Sequence, residues 1–211
     1  MIFDVELARF LSVDMCIDVN ALEVALSEQK IKKHSQALFK AVGDFRKALG
    51  EEDAESEILK IYQDCKIPLK LGEARIILDS LRHAFTVFAC GGLLDLYKLQ
   101  ENQEWYPKIV ICREILPNDK DTLDAMVTIY RGCSTLEFLN GHYGQAWTTS
   151  LEVANLFAYS HYSQESSFNA KDRLVMKAVI PKHAIYYSLQ HVEHEVVVNV
   201  SELLSIELYA P

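Results

Sequence analysis

Apolar and polar residues follow two different periods in the two halves of the chain. Up to residue 105, apolar side chains recur every three or four positions, the spacing that gathers them on one side of an α-helix. The segments with this spacing are 21–50, 52–65 and 72–100, and Gly50 is expected to end the first of them. We therefore predict that residues 1–105 are mainly helical.

After residue 105, short runs of β-branched and aromatic residues replace the helical spacing, bounded by Gly, Pro, Asn or polar clusters. The predicted strands are 106–115, 126–132, 145–150, 173–181, 184–189, 194–200 and 203–210. One helix, 150–162, interrupts them, with Ser150 as its N-cap and Val153, Phe157 and residues 159–162 on its apolar side. This order predicts one α+β domain, 1–211, in which the mainly helical segment 1–105 packs on a small, mostly antiparallel β core, 106–211.

Composition and charge narrow the class of protein. Half of the 211 residues are hydrophobic, but no apolar run reaches the length of a membrane span, and the first residues do not form a signal peptide. The net charge of −9 disfavours nonspecific attraction to nucleic acid or anionic membranes. Five scattered cysteines form neither a disulfide framework nor a zinc pattern. We expect a cytoplasmic protein that does not bind membranes.

The first of three short motifs is an arginine followed by a glycine, at the end of predicted strand 126–132. Without a function, Arg131 would be solvated or paired with a surface acid. If Arg131 has a function, its planar guanidinium would bind a phosphate or carboxylate, while Gly132 would let a ligand approach the backbone.

The second motif is Trp147-Thr148-Thr149-Ser150, an aromatic residue and three hydroxyls that lead into the predicted helix. Helix capping by Ser150 and the strand preference of threonine explain it without a function. The functional alternative is a hydrogen bond from Thr148 or Ser150 to a buried carboxylate.

The third motif, Glu193-His194-Glu195, precedes three valines. On a strand the two glutamates would share one face and His194 would lie on the other. Charges that guard an apolar strand edge explain the motif without a function. A zinc site that adds His191 lacks the spacing of the helical zinc signatures, and no metal is expected.

In this order, the three motifs resemble the R-S-E class of mono-ADP-ribosyltransferases, the cholera-toxin-like branch whose Glu-x-Glu motif goes with arginine acceptors. The resemblance covers roughly the second half of the chain. Thr148 stands where the family usually has the first serine of a Ser-Thr-Ser motif, so a hydroxyl is retained, and the connection from Arg131 to Thr148 is short. The resemblance implies a β core of the ADP-ribosyltransferase type and NAD as a substrate.

The resemblance also implies roles for individual residues. Glu195 would stabilise the ribosyl cation as nicotinamide leaves, Glu193 would orient and deprotonate an arginine, and Thr148, supported by Ser150, would hold Glu195 in position. Arg131 would bind the NAD phosphates or the neighbouring ribose. The implied NAD-binding residues are Tyr130, Arg131, Gly132, Thr148, Thr149 and Phe157. No metal would be needed, because the nicotinamide of NAD is already a cationic leaving group.

Four hypotheses remain open from the sequence. The favoured one is transfer of ADP-ribose to a protein arginine by an effector or toxin, which acts in the cytoplasm of its own or a recipient cell and has an inhibitor or antitoxin as a further partner. The same fold could instead modify a nucleobase in RNA or DNA, or hydrolyse NAD. The chain could also be a noncatalytic binding module. A glycosidase is disfavoured, because Glu193 and Glu195 on one strand face cannot flank a sugar from both sides.

Overall fold

The helical spacing of the first half produces helices in the structure. The computed structural model describes residues 3–28, 35–48, 54–66, 72–100, 107–164 and 168–209, and the chain divides into two units, Met1–Val110 and Ile111–Pro211. The first unit contains α1 (Val5–Arg9), a π-helical turn (Phe10–Asp14), α2 (Val19–Glu28), α3 (Ser35–Ala48), α4 (Ala54–Lys66) and α5 (Gly72–Leu99). The predicted helix 21–50 is thus two helices, and its predicted end at Gly50 lies outside the described residues.

Side-chain caps and buried apolar residues explain these helices. The carboxylates of Asp4 and Asp18 accept hydrogen bonds from the first turns of α1 and α2. Phe45 of α3 and Phe85 of α5 are fully buried and in ring contact. Within the described ranges, no helix has the length and apolar character needed to cross a lipid bilayer.

The second unit is built on a six-stranded sheet in which every pair of neighbouring strands is antiparallel. Its strands are β1 (Met126–Ser134), β2 (Ala146–Thr148), β3 (Arg173–Pro181), β4 (Ile185–Leu189), β5 (Glu195–Val198) and β6 (Leu204–Leu208), in the spatial order β4-β5-β2-β1-β3-β6. Two helices, α6 (Thr135–Asn140) and α7 (Leu151–Tyr159), accompany the sheet, together with 3₁₀ turns at Lys120–Thr122, Ala170–Asp172, Lys182–Ala184 and Val200–Glu202. The α+β class is confirmed.

Alternation along β1 gives the sheet two different faces. Ile129 and Cys133 point into the larger apolar core, which also contains Trp147 of β2. Tyr130 and Gly132 point to the opposite face, where α7 packs.

The N-cap of α7 is as predicted, but its buried side is not. The Ser150 hydroxyl accepts a hydrogen bond from the Val153 N–H, 3.3 Å away, at the helix start. The fully buried residues are Ala154 and Ala158, whereas Val153 and Phe157 are half-buried. Small residues face the sheet because the helix backbone approaches β1 closely, and larger side chains would hold it away.

The predicted strand 106–115 is wrong. Among its described residues, only Ile109 forms a bridge, to Ile17. Further along, the N–H groups of Ile115 and Asp119 donate to the carbonyls of Tyr186 and Ser188 on β4. From Ile115 to Asp119 the chain advances four residues, while their partners on β4 are only two residues apart. The chain at 115–119 is therefore not extended beside β4, and separate hydrogen bonds join the two instead of a ladder.

Candidate functional site

Three of the predicted site residues lie in one row across the sheet. Glu195 of β5 is directly opposite Thr148 of β2, and Thr148 is directly opposite Tyr130 of β1. Directly opposed residues in antiparallel strands share a face, so these side chains lie on the α7 side of the sheet. Thr148 is buried, while Glu195 and Tyr130 are half-buried.

The Glu-x-Glu motif has a different geometry from the one expected. Glu195 is the first residue of β5, but Glu193 is exposed in the turn that connects β4 to β5. His194 between them has a φ of +52°, in the left-handed region. Strand alternation therefore does not extend to Glu193, and the prediction that both glutamates lie on one strand is wrong.

Thr148 and Thr149 hold the backbone of this motif. The Thr148 hydroxyl donates to the Glu193 carbonyl over 2.9 Å, and the Thr149 N–H donates to the His194 carbonyl over 2.9 Å. A threonine hydroxyl has a single proton, so in this arrangement Thr148 cannot also donate to the Glu195 carboxylate. Thr148 thus supports Glu195 through the main chain instead of through its carboxylate.

Ser150 links this network to α7. Its N–H donates to the Thr148 hydroxyl oxygen over 3.0 Å, while its own hydroxyl oxygen caps the helix. The two interactions fix the end of β2 relative to the first turn of α7.

Arg131 lies on the opposite face of β1 from Tyr130, and one carboxylate and one main-chain carbonyl accept hydrogen bonds from its guanidinium. Its Nε donates to Glu137 over 2.7 Å and its Nη1 donates to the Ala146 carbonyl over 2.5 Å. Glu137 also accepts from the Gly144 N–H, and a β-carbon on Gly144 would lie 2.5 Å from the Arg131 guanidinium. Arg131 therefore fixes the segment that leads into β2, and the structure does not bring it together with Thr148 and Glu195.

Cys133 lies close to this ion pair in the larger core. Burial, reinforced by the nearby Glu137 carboxylate, raises the pKa of its thiol to about 12. The thiol is therefore largely neutral at physiological pH, which disfavours it as a nucleophile.

The other predicted NAD-binding residues have packing partners on the α7 side. A β-carbon on Gly132 would lie 2.4 Å from the Ala158 nitrogen, so this glycine permits close packing of α7 on β1. The Tyr130 ring contacts Tyr209 edge to face, with centroids 6.0 Å apart. Phe157 stacks at a tilt on His161, 4.8 Å between centroids.

Three residues of the site are absent from the sequence motifs: Glu137, Gln190 and Asp119. Glu137 had a signal, because Ser134 and Glu137 have the spacing of a helix capping box, and the Ser134 hydroxyl does cap α6. The sequence signal for Gln190 is weaker: it is the first residue of the short connection between two predicted strands. No local pattern indicates Asp119, whose partner Gln190 is 71 residues away in the sequence.

Asp119 and Glu195 make the base of the β4–β5 turn electronegative. Burial alone would raise the pKa of Asp119, but the nearby Ser188 hydroxyl, the Gln190 N–H and the His191 ring lower it below its usual value. Burial raises the pKa of Tyr187, and the charges of Glu195 and Asp119 raise it further. A cationic group would be favoured in such surroundings.

Among the described residues, no group of three or more His, Cys, Asp or Glu side chains is placed to hold a metal ion. Comparisons of the chain with protein-family models, with curated proteins and with solved structures find no match. A function must therefore be inferred from the geometry of the site itself.

Proposed function

We propose that the chain is a mono-ADP-ribosyltransferase that cleaves NAD at the nicotinamide–ribose bond and transfers ADP-ribose to an arginine of a target protein. The observation that carries this proposal is the row of Tyr130, Thr148 and Glu195, in which Thr148 and Thr149 hold the Glu-x-Glu backbone directly. A core of the ADP-ribosyltransferase type in the second unit, and action in a cytoplasm, belong to the same proposal.

Glu195 is proposed to stabilise the charge that develops as NAD is cleaved. When the bond between the ribose C1′ and the nicotinamide nitrogen breaks, its electron pair goes to the nicotinamide, which leaves as a neutral molecule, and the ribose becomes an oxocarbenium ion. A half-buried carboxylate on a strand is a fixed anion beside that charge. At an effective dielectric constant near 20, opposite charges about 4 Å apart attract by roughly 4 kcal/mol, or about three decades of rate.

Glu193 is proposed to act on the acceptor. Because its side chain is exposed at the turn, an arginine on the surface of another protein can reach it. The guanidinium nitrogen forms the new bond to C1′ and loses a proton, which the Glu193 carboxylate accepts. An acidic surrounding suits a guanidinium, whose pKa is above about 12 in water.

The remaining site residues are proposed to support these two glutamates or to bind NAD. Thr148 and Ser150 position the motif through the backbone, and Arg131 orders the entry to β2. Contacts of NAD with Tyr130, Gly132, Thr149 and Phe157 remain predictions, as does a direct contact between Arg131 and the NAD phosphates.

The test is incubation of labelled NAD with the protein and a cell lysate, with released nicotinamide measured in parallel. Glu195→Gln is expected to lower nicotinamide release by about a thousandfold, since it removes only the charge. Glu193→Gln is expected to retain release and lose transfer. Glu202→Gln, an exposed glutamate of a 3₁₀ turn, is the matched control and should behave as wild type.

The fate of the label separates the acceptors. Label removed by protease and stable to nuclease supports the arginine acceptor, whereas nuclease-sensitive label overturns it in favour of a nucleic-acid acceptor. Nicotinamide release without label on any macromolecule indicates an NAD hydrolase. If the folded wild-type protein gives neither nicotinamide nor label, it is not an ADP-ribosyltransferase.

A further inference from the structure

Three consecutive main-chain carbonyls of the Glu-x-Glu motif each accept a hydrogen bond from outside the motif. The first two, of Glu193 and His194, are held by Thr148 and Thr149. The third, of Glu195, accepts from the side-chain amide of Gln190 over 3.3 Å. Gln190 thus donates one of the three hydrogen bonds that hold the left-handed backbone at His194 in place.

The Gln190 side chain is itself held on both sides. Its amide oxygen accepts from the Thr149 hydroxyl over 2.6 Å, and its amide nitrogen also donates to the Ser188 hydroxyl oxygen over 3.0 Å. If the amide were rotated by half a turn, its oxygen would face the Glu195 carbonyl, and two acceptors would meet without a proton between them. The Glu195 carbonyl therefore fixes which end of the amide is the nitrogen. The Gln190 N–H donates to Asp119 over 2.7 Å, which anchors the backbone as well.

The two glutamates depend on this anchor to different extents. Glu195 lies in the ladder, opposite Thr148 on one side and Leu189 on the other, so neighbouring strands fix its backbone. Glu193 lies in the turn outside the ladder. Loss of the Gln190 amide would therefore displace Glu193 more than Glu195.

We propose that Gln190 is a positioning residue that couples NAD cleavage to transfer, by holding Glu193 at a fixed place relative to Glu195. This inference rests on the proposed transferase function and adds a residue to it. Gln190 touches neither bond in the reaction. It acts through the turn, so its removal should uncouple the two steps without abolishing the first.

The test compares wild type, Gln190→Met and Thr149→Val for nicotinamide release and for transfer to agmatine, a small guanidinium compound. Methionine keeps the length of glutamine and valine keeps the shape of threonine, but both lose the hydrogen bond between the two side chains. Thr149→Val loses one hydrogen bond and is expected to lower the ratio of transfer to release about tenfold, the effect of about 1.4 kcal/mol. Gln190→Met loses all three hydrogen bonds of the Gln190 side chain and should lower the ratio by at least as much. The double variant should add little to Gln190→Met, because the bond that Thr149→Val breaks is already lost there. Gln63→Leu, which alters an exposed glutamine of α4, should leave the ratio unchanged.

A second measurement does not depend on activity. Hydrogen exchange at the Thr149 N–H, which is bonded to the His194 carbonyl, should accelerate at least tenfold in Gln190→Met and remain as in wild type in Gln63→Leu. Unchanged exchange would overturn the positioning role, and so would an equal fall in release and transfer. If wild type releases no nicotinamide while exchange responds as expected, the transferase proposal and the coupling role are overturned, and only the hydrogen-bonded turn remains.

Discussion

Gly132 shows how a single residue sets the distance between a helix and the sheet. An added β-carbon would lie 2.4 Å from both the Ala154 carbonyl oxygen and the Ala158 nitrogen, which are main-chain atoms of α7 and cannot rotate away. An approach of a ligand to this glycine stays a prediction, whereas the close approach of the helix backbone is present in the structure. The glycine in the Arg-Gly motif is therefore explained without NAD.

We predict that Gly132→Ala lowers the free energy of unfolding by roughly 1–3 kcal/mol, because α7 must move to accept the methyl group. Urea denaturation of the two proteins would measure this. Gly43→Ala is the control, since a β-carbon there meets nothing within 4 Å on helix α3, and alanine favours a helix by up to about 1 kcal/mol. Equal effects of the two substitutions would contradict the close packing of α7.

Arg131 shows that a motif predicts the kind of group a single residue binds, but not which group it is. The sequence left two partners open for its guanidinium, an acid of the same chain or the phosphate or carboxylate of a ligand, and in the structure Glu137 and the Ala146 carbonyl accept its hydrogen bonds. The partners could not be chosen from the sequence, because an arginine fork fits a ligand phosphate and an internal carboxylate equally well.

At the scale of elements, the β4–β5 hairpin depends on one carboxylate outside it. Asp119 accepts from the Gln190 N–H, and its own N–H donates to the Ser188 carbonyl, so it joins the segment before β1 to the end of β4. Its lowered pKa means that folding favours the ionised form. The stabilisation is present above the usual pKa of 3.8 and is lost as the pH falls through the lower folded-state pKa.

We predict that Asp119→Asn lowers the free energy of unfolding at pH 7 by roughly 1–3 kcal/mol, because the amide is a weaker acceptor than a carboxylate. The difference from wild type should shrink below pH 3.8, because the unfolded chain then binds a proton at this carboxylate while the native state still resists it. Urea denaturation at pH 7 and pH 3 measures both values. Asp121→Asn, at an exposed aspartate nearby, is the control and should change stability little at either pH. A difference that stays constant with pH would assign the effect to packing.

Strands could be predicted where alternation and turn residues agree, and the predicted strand 173–181 coincides with β3. Segment 106–115 is also rich in β-branched residues, but composition does not show whether a neighbouring strand is free to form a ladder with it. The prediction that Glu193 lies on the strand was wrong for another reason. Alternation was extended across His194, whose left-handed backbone is held by Thr148 and Thr149, more than forty residues earlier in the sequence.

At the scale of the whole molecule, the α+β class followed from the change of period near residue 105, and the structure divides the chain after Val110. The row of Tyr130, Thr148 and Glu195 could be anticipated only as three separate motifs. Their alignment depends on the order of β1, β2 and β5 in the sheet, and local sequence patterns do not reveal that order. Gln190 and Asp119 depend on the same order and were missed.

Every residue assigned to the candidate site lies in Ile111–Pro211, which has its own apolar core and pairs all its strands internally. We therefore predict that a fragment of residues 111–211 folds by itself and unfolds in one cooperative transition, since domains of about 100 residues with one core commonly do so. Its near-ultraviolet circular dichroism during urea denaturation would report the packing of Trp147. A fragment that lacks a cooperative transition would show that this core is insufficient without residues 1–110. If the fragment folds and releases nicotinamide at the rate of the full chain, cleavage resides in the sheet, and any loss confined to transfer assigns acceptor binding to the helical unit.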